Sequence, residues 1–158
     1  MRGARAKDYG VWDKGDRREA IGQRLETKEE VKMGKGFREL KVWQKARDLA
    51  VAIYKETSAG AFSKDYGLRD QIRRSVVSVP SNISEGDERD SDKDAVRFFY
   101  IAKGSLAELQ TQVEIACLIG YMDKVKFSEL DETCTTIAKM LGSLIKARSR
   151  KQPIAHSL

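Results

Sequence analysis

Between residues 68 and 86 the chain reads LRDQIRRSVVSVPSNISEG, and no other stretch limits its fold as tightly. Leu68, Ile72, Val76, Val79 and Ile83 recur at steps of four, four, three and four, which lays one apolar stripe along an α-helix. Pro80 falls inside that stripe. It removes the backbone hydrogen bond to the Val76 carbonyl, and because the stripe continues in phase to Ile83 it predicts a kink and not a break. Gly86 is the expected terminator, since glycine readily takes the left-handed conformation that ends helices. Asn82 and Glu85 flank Ile83 at the helix end. Polar groups there need partners, so both are expected to be structural and to tie the helix to its neighbours.

A helix with one apolar stripe needs other helices to bury it, and the chain supplies three. The first should run from about Glu39 to Thr57, with Leu40, Trp43, Ala46, Ala50 and Ile53 inward and Val42 and Leu49 widening that face. Ser91 to Asp94 has the spacing of a capping box and opens the longest helix, about Asp92 to Tyr121. Its predicted stripe is Ala95, Phe98, Ala102, Leu106, Leu109, Val113, Ala116 and Gly120, and mid-helix Gly104 predicts close approach of another helix. Met122 to Lys126 is short enough to return the chain antiparallel. The fourth helix carries Phe127, Leu130, Cys134, Ile137, Leu141 and Leu144 in a heptad-like seam. Hairpin dipeptides and sustained period-two alternation are missing, so the expected fold is all-α: an up-down four-helix bundle with a kinked second helix and a long third. It should occupy residues 37–149, between a mobile or weakly helical extension over 1–36 and a disordered tail over 150–158. Met33, just before the bundle, is an alternative start.

QIRRSVVSVPSNISEG resembles the signature of the protein family encoded in intervening sequences of bacterial 23S rRNA genes. FRELKVWQKARDLAVAIY before it, DYGLRDQ, and FFYIAKGSLAELQTQVEIACLIGY after it extend the resemblance over about Phe37 to Lys146. The resemblance implies a four-helix bundle, often a homopentamer, associated with nucleic acid and without known catalysis. Accessory proteins of diversity-generating retroelements look similar, and there the implied partners are RNA and a reverse transcriptase.

The chemistry that the residues permit is narrow. The only histidine is His156, in the tail, so neither a Ser-His or Cys-His pair nor an imidazole metal cluster is expected within the chain. Cys117 and Cys134 fall on apolar helix faces and read as buried free thiols. Di-iron Glu-x-x-His pairs, a phosphate-binding loop and a calcium loop are not found; no metal and no cofactor is expected. The longest apolar run is far short of the roughly 20 residues of a membrane span, and the N-terminus lacks a signal peptide's apolar core, so a cytoplasmic protein is expected.

What remains is charge. The chain carries a formal +6, with 34% charged residues. Six carboxylates crowd Glu85 to Asp94. Arg69, Arg73 and Arg74 on the second helix and Lys146, Arg148 and Arg150 at the end of the fourth are the candidate nucleic-acid contacts, because repetition around an oligomer axis would turn them into phosphate-binding rings. Ile101, Ile115, Leu118 and Ile119, with Trp43 and Val42, lie outside or beside the core stripes and predict a closed homo-oligomer. The function expected is a non-catalytic, RNA-associated, homo-oligomeric bundle. The alternative is a protein-binding scaffold or adaptor without nucleic-acid contact.

Overall fold

A computed structural model describes residues 36–150, and the expectations for residues 1–35 and 151–158 lie outside this range. Four helices follow in order: α1 Lys41–Glu56, α2 Tyr66–Asp87, α3 Asp92–Leu118 and α4 Lys124–Ser149. Short 3-10 turns, Phe37–Glu39 and Phe62–Lys64, precede α1 and α2. Three helix starts are fixed by an acidic or hydroxyl side chain on the third amide. Asp65 accepts from Leu68 N at 3.0 Å, Ser91 from Asp94 N at 3.1 Å and Asp123 from Lys126 N at 2.7 Å. The box at Ser91 closes differently from the usual form: its hydroxyl donates to Asp94 Oδ2 at 2.9 Å.

Helix α1 packs on α2 and α4, and α3 likewise on α2 and α4, so the four surround one core as an up-down bundle. Ile72, Val76, Val79 and Ile83 of α2 are fully buried, as the stripe predicts, and the helix runs unbroken through Pro80. Elsewhere the phase shifts by one residue. In α1 the buried positions are Val42, Ala46, Leu49 and Ile53, while Trp43 and Ala50 are only half-buried. Phe99, not Phe98, fills the core of α3, and Ile145, not Leu144, closes the seam of α4. Adjacent residues differ by about 100° on a helix, so both choices satisfy the period; the neighbouring helices decide.

The glycines hold roles other than those expected. Gly86 lies inside α2, which continues to Asp87, and it has no positive φ. Its contribution is space. A Cβ there would sit 2.7 Å from a Phe99 ring carbon and 3.0 Å from both the Ala95 carbonyl oxygen and Phe98 Cβ. Gly120, expected in the core stripe, instead terminates α3 at φ 84°. Tyr121 N donates to Ala116 O and Gly120 N to Cys117 O, a Schellman closure. Gly104 is exposed, with nothing among the described residues within 4 Å of where a Cβ would sit, so no described helix approaches it.

One end of the bundle is plugged by a loop side chain that periodicity does not flag. Phe62, in the connection between α1 and α2, is 1% exposed and packs on Tyr121, ring centroids 5.3 Å apart. Tyr121 donates its phenolic proton to Asp65 Oδ2 at 3.0 Å. This hydrogen bond to a carboxylate raises the phenol above its ordinary pKa.

Both cysteines are free, but only Cys134 is buried; Cys117 is half-exposed. Burial, reinforced by nearby Asp131, pushes the Cys134 thiol up to about 12. The thiolate is the reactive form. A native-state titration with a thiol reagent at neutral pH should therefore modify one cysteine per chain, Cys117, and reach Cys134 only after denaturation. Two equally fast thiols would contradict this packing.

Candidate nucleic-acid interface

The arginines predicted to face phosphate divide into two groups. Arg73 closes the C-terminus of α1. Its Nε donates to Thr57 Oγ1 at 2.9 Å, its Nη2 donates to Ser58 Oγ at 3.0 Å, and the guanidinium lies 4.6 Å over the Tyr54 ring. Thr57 is itself fully buried, so Arg73 satisfies a hydroxyl that water does not reach. Arg69 donates to Ser63 O and to Asp70, both at 3.0 Å, and stacks on Tyr66. Arg148 donates to Asp87 at 2.7 Å and to Asp92 at 3.1 Å, stapling the end of α4 to the α2–α3 turn. These three are built into the fold. Arg74, Lys146 and Arg150 are exposed and form no ion pair among the described residues.

Asn82 and Glu85 also find partners, though nearer than expected. Asn82 Nδ2 donates to Ser78 O at 2.8 Å and to Ser78 Oγ at 2.9 Å, and Ser78 Oγ pairs with Ser105 Oγ of α3 at 2.8 Å. Asn82 thus reaches its neighbouring helix through a serine. Glu85 pairs at the surface with Arg89 of the following turn, whose guanidinium lies 4.4 Å over Phe98.

A concavity on the outside of the bundle is one that no linear motif announces. The outer faces of α1 and α2 form a groove of about 890 Å³ floored by Ala50, Val51, Val77 and Pro80. Val51, Tyr54 and Val77 are 50%, 43% and 41% exposed along it. Three rings, Phe37, Trp43 and Tyr54, stand at its walls, and Arg38, Arg47 and Lys55 supply three cations, of which Arg47 is paired at the surface with the neighbouring Asp48 at 2.8 Å. No carboxylate lines it among the described residues. Arg38 lies 4.7 Å over Phe37 and Arg47 5.3 Å over Trp43, so rings and guanidinium groups alternate along one face. Trp43 contacts Phe37 edge-on at 5.1 Å, a wall anchor and not a core residue. A signal did exist: Trp43, Arg47, Ala50 or Val51, Tyr54 and Ser58 form a second helical stripe beside the core stripe.

Two other absences are specific to the described residues. No group of three or more His, Cys, Asp or Glu side chains converges to hold a metal, and no helix is long and apolar enough to cross a membrane.

The fold has a known counterpart. A crystal structure of a protein of unknown function from the S23 ribosomal protein family of Bacteroides thetaiotaomicron VPI-5482 superposes with a TM-score of 0.62. It is 28% identical, and the match covers 66% of this chain and 98% of that one. No curated protein matches. The family described as 23S rRNA-intervening sequence protein matches over residues 38–143, which takes in α1, α2, α3 and most of α4. A match across nearly all of the bundle, joined to the same bundle in a solved relative, places the chain in the 23S rRNA-intervening sequence protein family.

Proposed function

We propose that this bundle is a non-catalytic, RNA-associated protein that assembles as a closed homo-oligomer, with the α1–α2 groove as its RNA-facing surface. The observation that carries the RNA assignment is the composition of the groove: three aromatic rings and three cations, with no carboxylate in its lining and only Arg47 paired, to the exposed Asp48 beside it. Single-stranded nucleic acid is held by such surfaces, with bases stacked on rings and phosphates on Arg and Lys. Membership in a family named for 23S rRNA supports the same reading. Self-association is supported by apolar side chains that one chain leaves uncovered. Ile101 and Leu118 on α3 and Ile119 just past its end are 43%, 79% and 52% exposed. Tyr66, Leu118, Ile119 and Val125 all lie at the end of the bundle where α2 and α4 begin and α3 finishes. Val42 is buried and contributes nothing to that surface. A pentamer is the ring size the family resemblance favours, and light scattering that finds only monomer at micromolar concentration would remove the assembly.

Three phosphate contacts to a single strand give a log–log salt slope of about −2. Filter binding of the full chain to single-stranded RNA at several salt concentrations should therefore show a slope that falls by about 2 when Arg38, Arg47 and Lys55 are all replaced by alanine. Tyr54→Leu should weaken binding roughly tenfold with the slope unchanged, the cost of one lost stacking surface. The aliphatic floor of the groove favours one second reading, an adaptor that seats a helix of another protein there. An unaltered slope in a folded triple variant of normal assembly size would select that reading.

A further inference from the structure

The outward side of α3 carries a second helical stripe, set apart from its core stripe: Arg97, Ile101, Gly104, Glu108, Thr111 and Ile115. Steps of four, three, four, three and four give it the heptad period of a seam between helices. All six residues are exposed. Ile101 stands proud at 43% exposure, and Gly104 one turn later is a notch, with nothing among the described residues within 4 Å of where its Cβ would sit. The two charges that flank this knob and notch are uncommitted. Arg97 forms no ion pair among the described residues, and Glu108 receives one long hydrogen bond, 3.4 Å from Ser75 Oγ.

We propose that this seam is covered by a second copy of the chain, whose α3 packs on it antiparallel about a two-fold axis. The stripe is its own complement. Read from N to C it runs Arg97, Ile101, Gly104, Glu108; turned end for end it runs Glu108, Gly104, Ile101, Arg97. Each guanidinium therefore meets the partner's carboxylate, and each isoleucine enters the partner's glycine notch. A glycine at the crossing lets two helix axes come as close as about 8 Å, and Arg and Glu are long enough to pair around such a contact. Other alignments of the same faces lose these matches. A parallel pair would set Arg97 on Arg97 and Glu108 on Glu108. A shift of one heptad either way separates Arg97 from Glu108. A shift of two heptads towards the C-terminus brings the two Glu108 carboxylates within one turn of each other and carries Arg97 past the end of the partner's α3. An isologous contact closes on itself, so it pairs two chains or, where a ring exists, two rings. It rests on the self-association proposed above, but on residues apart from the end patch of Tyr66, Leu118, Ile119 and Val125, and it leaves the α1–α2 groove open.

Sedimentation velocity on the full chain and its variants tests this by mass. One helix face makes a small interface and its ion pairs are screened by salt, so the measurement belongs at about 100 µM chain and low ionic strength. The parent should contain an even number of chains. Arg97→Glu and Glu108→Arg should each halve its mass, because each places like charges opposite one another. The double variant Arg97→Glu/Glu108→Arg restores both pairs with their polarity reversed and should recover the parental mass. Gly104→Leu fills the notch, as an alanine does not, and should halve the mass with every charge intact. All of these positions are exposed, and melting curves establish that each variant is folded. Leu118→Asp, in the end patch, should leave pairs of chains, so the two contacts are read separately. A parent of five chains would keep the ring and overturn the two-fold contact; a monomeric parent would overturn both. A single charge variant that keeps the parental mass, or a folded double variant that stays at half of it, would also overturn the pairing of Arg97 with the partner's Glu108.

Discussion

Gly86→Ala should lower the melting temperature by roughly 5–10 °C, about 2 kcal/mol of overpacking in a domain of this size. The added methyl would meet Phe99, which is fully buried and has no open side to turn towards, and the Ala95 carbonyl oxygen, which belongs to the first turn of α3. Relief therefore requires α2 and α3 to separate where the chain crosses between them in only a few residues. Gly104→Ala is the matched control. It adds the same methyl to an exposed helical position with nothing within 4 Å, and should stabilise by up to about 1 kcal/mol through helix propensity alone. A Gly86→Ala protein that melts within a degree of the parent would mean that the close crossing of α2 and α3 does not exist in solution.

These two glycines also mark how far sequence could be read. Their type says that a methyl is unwelcome or unneeded, but not why. Gly86 was expected to end a helix and instead admits a neighbour; Gly104 was expected to admit a neighbour and faces open space; Gly120 ends the helix. Helix existence, order and pairing were legible because the apolar period is repeated over many turns, so a single misread position cannot erase it. Phase within a turn was not. Phe98 and Phe99 both satisfy the repeat, and only the position of α2 puts Phe99 inside and leaves Phe98 under Arg89. The site was harder still, because charge in a sequence carries no information about partners. Arg69, Arg73 and Arg148 look like free cations until the chain folds and brings Ser63, Thr57 and Asp87 to them. Arg38, Arg47 and Lys55 are dispersed along α1 and its preceding turn, and they share a groove only when Val77 and Pro80 of α2 complete it.

Arg148→Ala should cost about 1–3 kcal/mol and leave RNA binding by the folded protein unchanged. Arg148 is 26% exposed and bridges Asp87 and Asp92, which are 14% and 25% exposed. Its removal leaves two partly buried carboxylates facing each other within a segment, Glu85 to Asp94, that already carries six. The loss exceeds that of an ordinary surface pair because both partners are stranded in a shielded corner. It should shrink as salt is raised, since part of it is repulsion between like charges, whereas the Gly86→Ala loss is steric and should not respond to salt. Arg148→Lys should recover only part of the stability: an ammonium group can pair with one carboxylate well but lacks the planar fork that reaches both. Denaturant melts at low and high salt on the three variants measure these differences. RNA titration on the same samples then decides the role of the residue. A salt slope reduced by about 0.7 in folded Arg148→Ala protein would return Arg148 to the phosphate-binding surface, and an unchanged slope would fix it as the staple between α4 and the α2–α3 turn.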